Sequence, residues 1–114
     1  MVKVEAIIDP TSLDAVKVAL AGLKIGGVTI VHVLDHSGPT GLKVAYRGGE
    51  YYVDMSKVKL EMVVASLLVD DIIDAISRSA RAGIPGGDDG MILVYEIGDA
   101  IRIRNGLRTG FALF

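Results

Sequence analysis

Lys3-Val4-Glu5-Ala6-Ile7-Ile8 returns 56 residues later as Lys59-Leu60-Glu61-Met62-Val63-Val64. The match carries on: Leu13-Asp14-Ala15-Val16 aligns with Val69-Asp70-Asp71-Ile72, and Ala19-Leu20 with Ala75-Ile76. In each half the first segment reads as a strand. The second reads as a helix with its apolar residues on one face, Leu13, Val16 and Leu20, then Val69, Ile72, Ile73 and Ile76. Pro10 with Thr11 or Ser12 marks a helix start, and Gly26-Gly27 and Gly83 mark stops. A further strand follows each helix, Val28 to Leu34 and Met91 to Ile97. Two β-α-β units joined by a long connection give an α+β, ferredoxin-like plan, a four-stranded antiparallel sheet with both helices on one face.

The chain has 114 residues, enough for one domain spanning 1–114. Its hydrophobic fraction is 51% and its mean hydropathy +0.48. No stretch reaches the ~18 apolar residues of a membrane span. The longest candidate, Met62 to Ile76, is broken by Ser66, Asp70, Asp71 and Asp74, so the chain is not itself membrane-inserted. The surplus apolar surface points to a subunit interface, hence a homo-oligomer. The strand containing Thr29, Val31 and Val33 agrees, because Val28, Ile30 and Leu34 make it apolar on both sides. A net charge of −2 argues against nucleic acid, which calls for a basic face. Cysteine is absent, which removes thiolate chemistry and cysteine zinc sites. No secretory signal opens the chain, so a cytoplasmic location is the default.

Tyr46-Arg47-Gly48-Gly49-Glu50-Tyr51 lies in a polar, glycine-broken connection. A connection of about 20 residues serves as a lid, binding loop or tether. An ordinary hairpin tip with solvated tyrosines is the plainer reading. Ile101-Arg102-Ile103-Arg104 alternates with period two, which in a strand sets both guanidiniums on one face and both isoleucines on the buried side. Paired guanidiniums suit phosphate or carboxylate; alternatively Asp88, Asp89 and Asp99 are internal partners. The glycine-rich run 83–90 permits an anion-binding nest, although Asp88 and Asp89 repel phosphate. His32 and His36, with Asp35, lack a third metal ligand. No serine stands at a motif spacing from an activating base. Binding is favoured over catalysis, and the chain reads as a non-enzyme.

These pieces resemble the PII signal-transduction proteins over nearly the whole length. The resemblance rests on Ala6-Ile7-Ile8 with Pro10, Leu13-Asp14 and Val16; Gly27-Val28-Thr29; Tyr46 to Tyr51 with Val53-Asp54; Lys57-Val58-Lys59; and Ile101 to Arg104. It implies a homotrimer, a mobile T-loop at about 36–55, and an adenine nucleotide in each cleft between subunits. By that resemblance Arg102 and Arg104 face the phosphates, and Gly87, Asp88, Asp89 and Gly90 form the loop cradling them. Thr29 and Val63 border the adenine, with Ile7 and Glu61 nearby, and Asp35, His36, Ser37 and Gly38 form the loop base. Arg47 matches an arginine that such loops insert into a target, with Gly48, Glu50 and Tyr51 beside it. Tyr51 also matches a tyrosine that some bacterial members have uridylylated, although Gly49 replaces a small alanine or serine. The implied partner is a membrane transporter or a metabolic enzyme.

The departures are as informative. Pro39 replaces a Mg²⁺-chelating glutamine, Gly38 a phosphate-facing arginine, and Met91 a phosphate-binding lysine. Each lost charge-assisted hydrogen bond weakens ATP by about 1.5–3 kcal/mol. A 2-oxoglutarate response is therefore expected to be lost, and ADP, AMP or another small anion competes with ATP as ligand. No cofactor is required. Two other readings stand beside this one: a ligand-free trimeric interaction module, and a metal-dependent phosphohydrolase using Asp35 and His36. The C-terminal strand and tail, 100–114, end in Phe111, Leu113 and Phe114, which are expected to pack on their own or a neighbouring subunit.

Overall fold

A computed structural model of the chain describes residues 1–36, 43–52, 54–81 and 90–108. In order, its elements are β1 (Val2–Ile8), α1 (Leu13–Ala21), β2 (Thr29–Asp35), β3 (Lys43–Tyr46), β4 (Gly49–Tyr52), β5 (Met55–Val64), α2 (Val69–Arg81) and β6 (Met91–Glu96). The main sheet has the order β2-β5-β1-β6 with every pairing antiparallel. This is the ferredoxin-like arrangement expected from the repeat. The duplication is visible in the backbone: 3-10 turns at Pro10–Ser12 and Ser66–Leu68 lead directly into α1 at Leu13 and α2 at Val69.

Alternation along the strands divides the sheet into two faces. Val2, Val4, Ala6 and Ile8 join Val58, Leu60, Met62 and Val64 beneath the helices, and Val16, Leu20, Ile72 and Ile76 close the core from above. Helix α2 carries Asp70 and Asp71 in its first turn and Arg78 and Arg81 in its last, each sign at the dipole end that favours it. Ser12 Oγ, buried, donates to the Ala80 carbonyl at 3.3 Å and ties the start of α1 to the end of α2.

Several boundaries differ from the sequence expectation. Ser12, one of the expected helix starts, is the N-cap of α1 without a side-chain capping bond; the 3-10 turn before it is capped by Asp9, whose carboxylate accepts from the Thr11 amide at 2.9 Å and its hydroxyl at 2.7 Å. Pro10 then occupies the first turn, where no amide donor is needed. Helix α1 ends at Gly22 rather than at Gly26-Gly27. Gly83 lies outside the described residues, as do Phe111, Leu113 and Phe114.

The long connection contains structure of its own. Strands β3 and β4 pair from Lys43↔Tyr52 to Tyr46↔Gly49, leaving Arg47-Gly48 as a two-residue turn. Both turn residues have positive φ, 51° and 79°, as a type I′ hairpin requires. Tyr46 and Tyr51 are exposed on it. The strand expected at Ile101–Arg104 is replaced by a turn. Ile101 bridges to Arg108, Arg102 N–H donates to the Leu107 carbonyl at 2.8 Å, and Gly106 N–H donates to the Arg102 carbonyl at 2.8 Å. Ile103 is 100% exposed, so the isoleucines do not share a buried side. Four alternating residues are too few to commit a chain to a strand when a bridge four residues later closes a turn.

Candidate ligand cleft and loop root

The open face of the sheet is ordered in rungs. Tyr95, Lys3 and Val63 form one; Leu93, Glu5, Glu61 and Thr29 the next; Met91, Ile7, Lys59 and Val31 the third. Thr29, Glu61, Val63 and Ile7, assigned to the adenine side of a site, therefore do share one face, with Thr29 directly opposite Glu61. At the centre lies a charged network. Lys59 Nζ stands 3.4 Å from Glu5 and 3.5 Å from Glu61, Lys3 Nζ is 3.7 Å from Glu61, and Tyr95 Oη donates to Glu5 at 2.9 Å. Tyr95's hydrogen bond, with help from Lys59 and Lys3 and against the cost of burial, holds the Glu5 carboxyl below its ordinary range. The same bond raises the Tyr95 phenol, and Glu5 and then Glu61 raise Lys59.

Where the open face meets the long connection, a cleft of about 140 Å³ is walled by Ile7, Asp35, Lys57, Gly90 and Met91. Its charged residue of note is Lys57, only 6% exposed although it carries an ammonium. Strand β5 puts Lys57 opposite Val33 on the open face, and Asp35 lies one rung further toward the loop. Gly90, at φ +96°, lies against β1: a Cβ built there would stand 1.8 Å from the Ile7 carbonyl oxygen. Met91, exposed, lines the cleft where the family resemblance calls for a lysine.

Just past Asp35, His36 Nδ1 lies 2.6 Å from Asp54 Oδ1. His32 is four strand residues away, about 13 Å, so the two histidines cannot share an ion. Ser37, Gly38, Pro39, Gly87, Asp88 and Asp89 lie outside the described residues. Arg102 and Arg104 sit in the turn beyond β6, whose length of about 17 Å separates its Glu96 end from Met91 and the cleft. Asp99 receives two hydrogen bonds from Arg108, one of them from Nε at 2.9 Å. On the hairpin, Arg47 lies over the Tyr46 ring at 5.3 Å and Lys43 reaches Glu50 at 3.7 Å, while Gly48 completes the turn and Tyr51 lies in β4.

The family model for nitrogen regulatory protein P-II matches residues 1–107 of this chain. The chain belongs to the P-II family. It is 45% identical to the nitrogen regulatory protein P-II of Rhodospirillum rubrum over 114 residues, covering 99% of this chain and 100% of that one. It is 47% identical to the protein of that name from Haemophilus influenzae over 107 residues, 93% of this chain and 94% of the other. The Bradyrhizobium diazoefficiens protein of the same name is 46% identical over the same shares.

Within this P-II chain, sequence reasoning missed two residues of the site. Lys57 was quoted only as part of the family resemblance; its place one residue from core Val58 is the signal that sets it on the opposite face. Asp54 was likewise quoted without a partner, and local sequence carries no signal that it meets His36. Among the described residues no helix is long and apolar enough to cross a membrane.

Proposed function

We propose that the chain is a cytoplasmic P-II regulator and not an enzyme, a homotrimer whose loop at 36–55 engages or releases a membrane transporter or metabolic enzyme. The signal is a small anion, an adenine nucleotide, held where one subunit's cleft meets the next subunit's arginine turn. The observation that carries this reading is Lys57, a nearly buried ammonium in a cleft at the root of the projecting hairpin. A ligand there touches the residues that aim the loop, and so favours one loop state over another.

Two features support assembly. The network of Lys3, Lys59, Glu5 and Glu61 sums to zero charge, so its face is suited to burial against another copy; Ile7, Val31, Val33 and Leu93 surround it with apolar surface. Arg102 and Arg104 lie beyond the end of β6 remote from the cleft, and a neighbouring subunit is the economical way to bring such a turn to it. With Met91 in the cleft wall, ADP or AMP is the expected ligand, held at least as tightly as ATP.

Calorimetric titration of ATP, ADP, AMP and cyclic nucleotides at about 100 μM protein tests the ligand. Heat with ADP or AMP that vanishes in an Arg102→Ala, Arg104→Ala double variant supports the reading. Silence across the panel removes it. Sedimentation of a single 12.0 kDa particle would remove the intersubunit cleft.

A further inference from the structure

The ladder between β2 and β5 ends at Asp35↔Met55, and His36 and Asp54 are the next residues on the two sides. Their side chains add one more rung, Nδ1 to Oδ1 at 2.6 Å, between residues 18 apart in the chain. Both side chains are largely solvated, His36 66% and Asp54 47% exposed. Asp54 lies two residues beyond Tyr52, the last residue of the hairpin.

We propose that His36 and Asp54 form a clasp that anchors the hairpin to the sheet. Imidazole is the side chain that changes charge between pH 5 and 8. With the ring protonated and Asp54 ionised, the tie is an ion pair with a charge-assisted bond. With the ring neutral, a single weaker hydrogen bond from Nδ1–H remains. Asp54 lies across from the ring, and Asp35 precedes it in the chain. Strand alternation sends Asp35 to the open face, where Lys57 also lies, and Lys43 at the hairpin base is drawn toward Glu50. His36 and Asp54 thus act as positioning residues for the loop. That the hairpin contacts a partner rests on the function proposed above; the clasp itself does not.

Hydrogen exchange of the hairpin amides Val44 to Tyr51 in the full-length protein, corrected for intrinsic rates, measures the clasp without any ligand or partner. His36→Asn and Asp54→Asn are each expected to speed exchange about threefold at pH 5.5, the size an exposed ion pair supports. The double variant should exchange no faster than either single one. Additive effects of the two substitutions, or exchange unchanged by either of them, overturn the proposal. A silent nucleotide panel with these rates as expected overturns the ligand reading and leaves the clasp standing.

Discussion

Glu5 and Glu61, equivalent residues of the two halves, stand directly opposite each other in the β1–β5 ladder. Like charges at that spacing repel, and the same duplication supplies the remedy. Lys59, the equivalent of Lys3, reaches both carboxylates, and Lys3 reaches Glu61. The pseudo-twofold axis of the repeat thus passes through a neutral four-charge cluster.

Tyr95→Phe removes the largest influence lowering the Glu5 pKa. A depressed carboxyl pKa contributes stability that is complete above the unfolded value and is lost as pH falls through the folded one. The variant should titrate Glu5 at higher pH and begin acid unfolding at higher pH than the native chain. Carboxyl NMR titration with denaturation from pH 3 to 6 checks both, and unchanged curves would contradict the role given to the phenol.

Gly90→Ala combines positive φ with a backbone collision against Ile7. It is expected to cost about 3 kcal/mol or more. Gly98→Ala meets nothing within 4 Å and should stay within about 0.5 kcal/mol. Chemical denaturation of the two variants compares them; equal midpoints would refute the close approach.

Lys57→Met keeps the aliphatic bulk of a nearly buried stem and deletes its charge. Stability should change by less than about 1.5 kcal/mol, while nucleotide affinity falls at least about tenfold, the loss of one hydrogen bond to a charged group. Calorimetry on the folded variant decides; undiminished affinity would place the anion elsewhere.

Ile72→Ala, at a fully buried position on the core face of α2, should cost about 2–5 kcal/mol. Urea unfolding gives the value, and a loss under 1 kcal/mol would mean that α2 is not seated as described.

Much of the fold was legible because the repeat is written in short-range pattern. Helix starts at Leu13 and Val69, and the alternation of β1 and β5, depend on neighbours within a turn or two. The errors arose where local signals were thin. Arg47-Gly48 is a weaker hairpin signal than Asn-Gly, so the hairpin tip stands in the sequence only as the plainer alternative to a binding loop, and Ile101–Arg104 alternates too briefly to separate strand from turn. Ser12 does precede α1 as its type suggests, whereas the 3-10 turn capped by Asp9 carries no signal of its own, and only the observed hydrogen bonds reveal it.

The amino-acid order by itself determined a duplicated β-α-β chain, its apolar faces and its family likeness. Tertiary structure alone decided that Glu5 faces Glu61, that Lys57 is nearly buried in a cleft with Gly90, and that His36 meets Asp54. Those contacts join residues 18 or more apart, and which side chains meet depends on the register in which whole strands lock together. Local periodicity sets which face a residue takes, but long-range pairing sets its neighbour across the ladder.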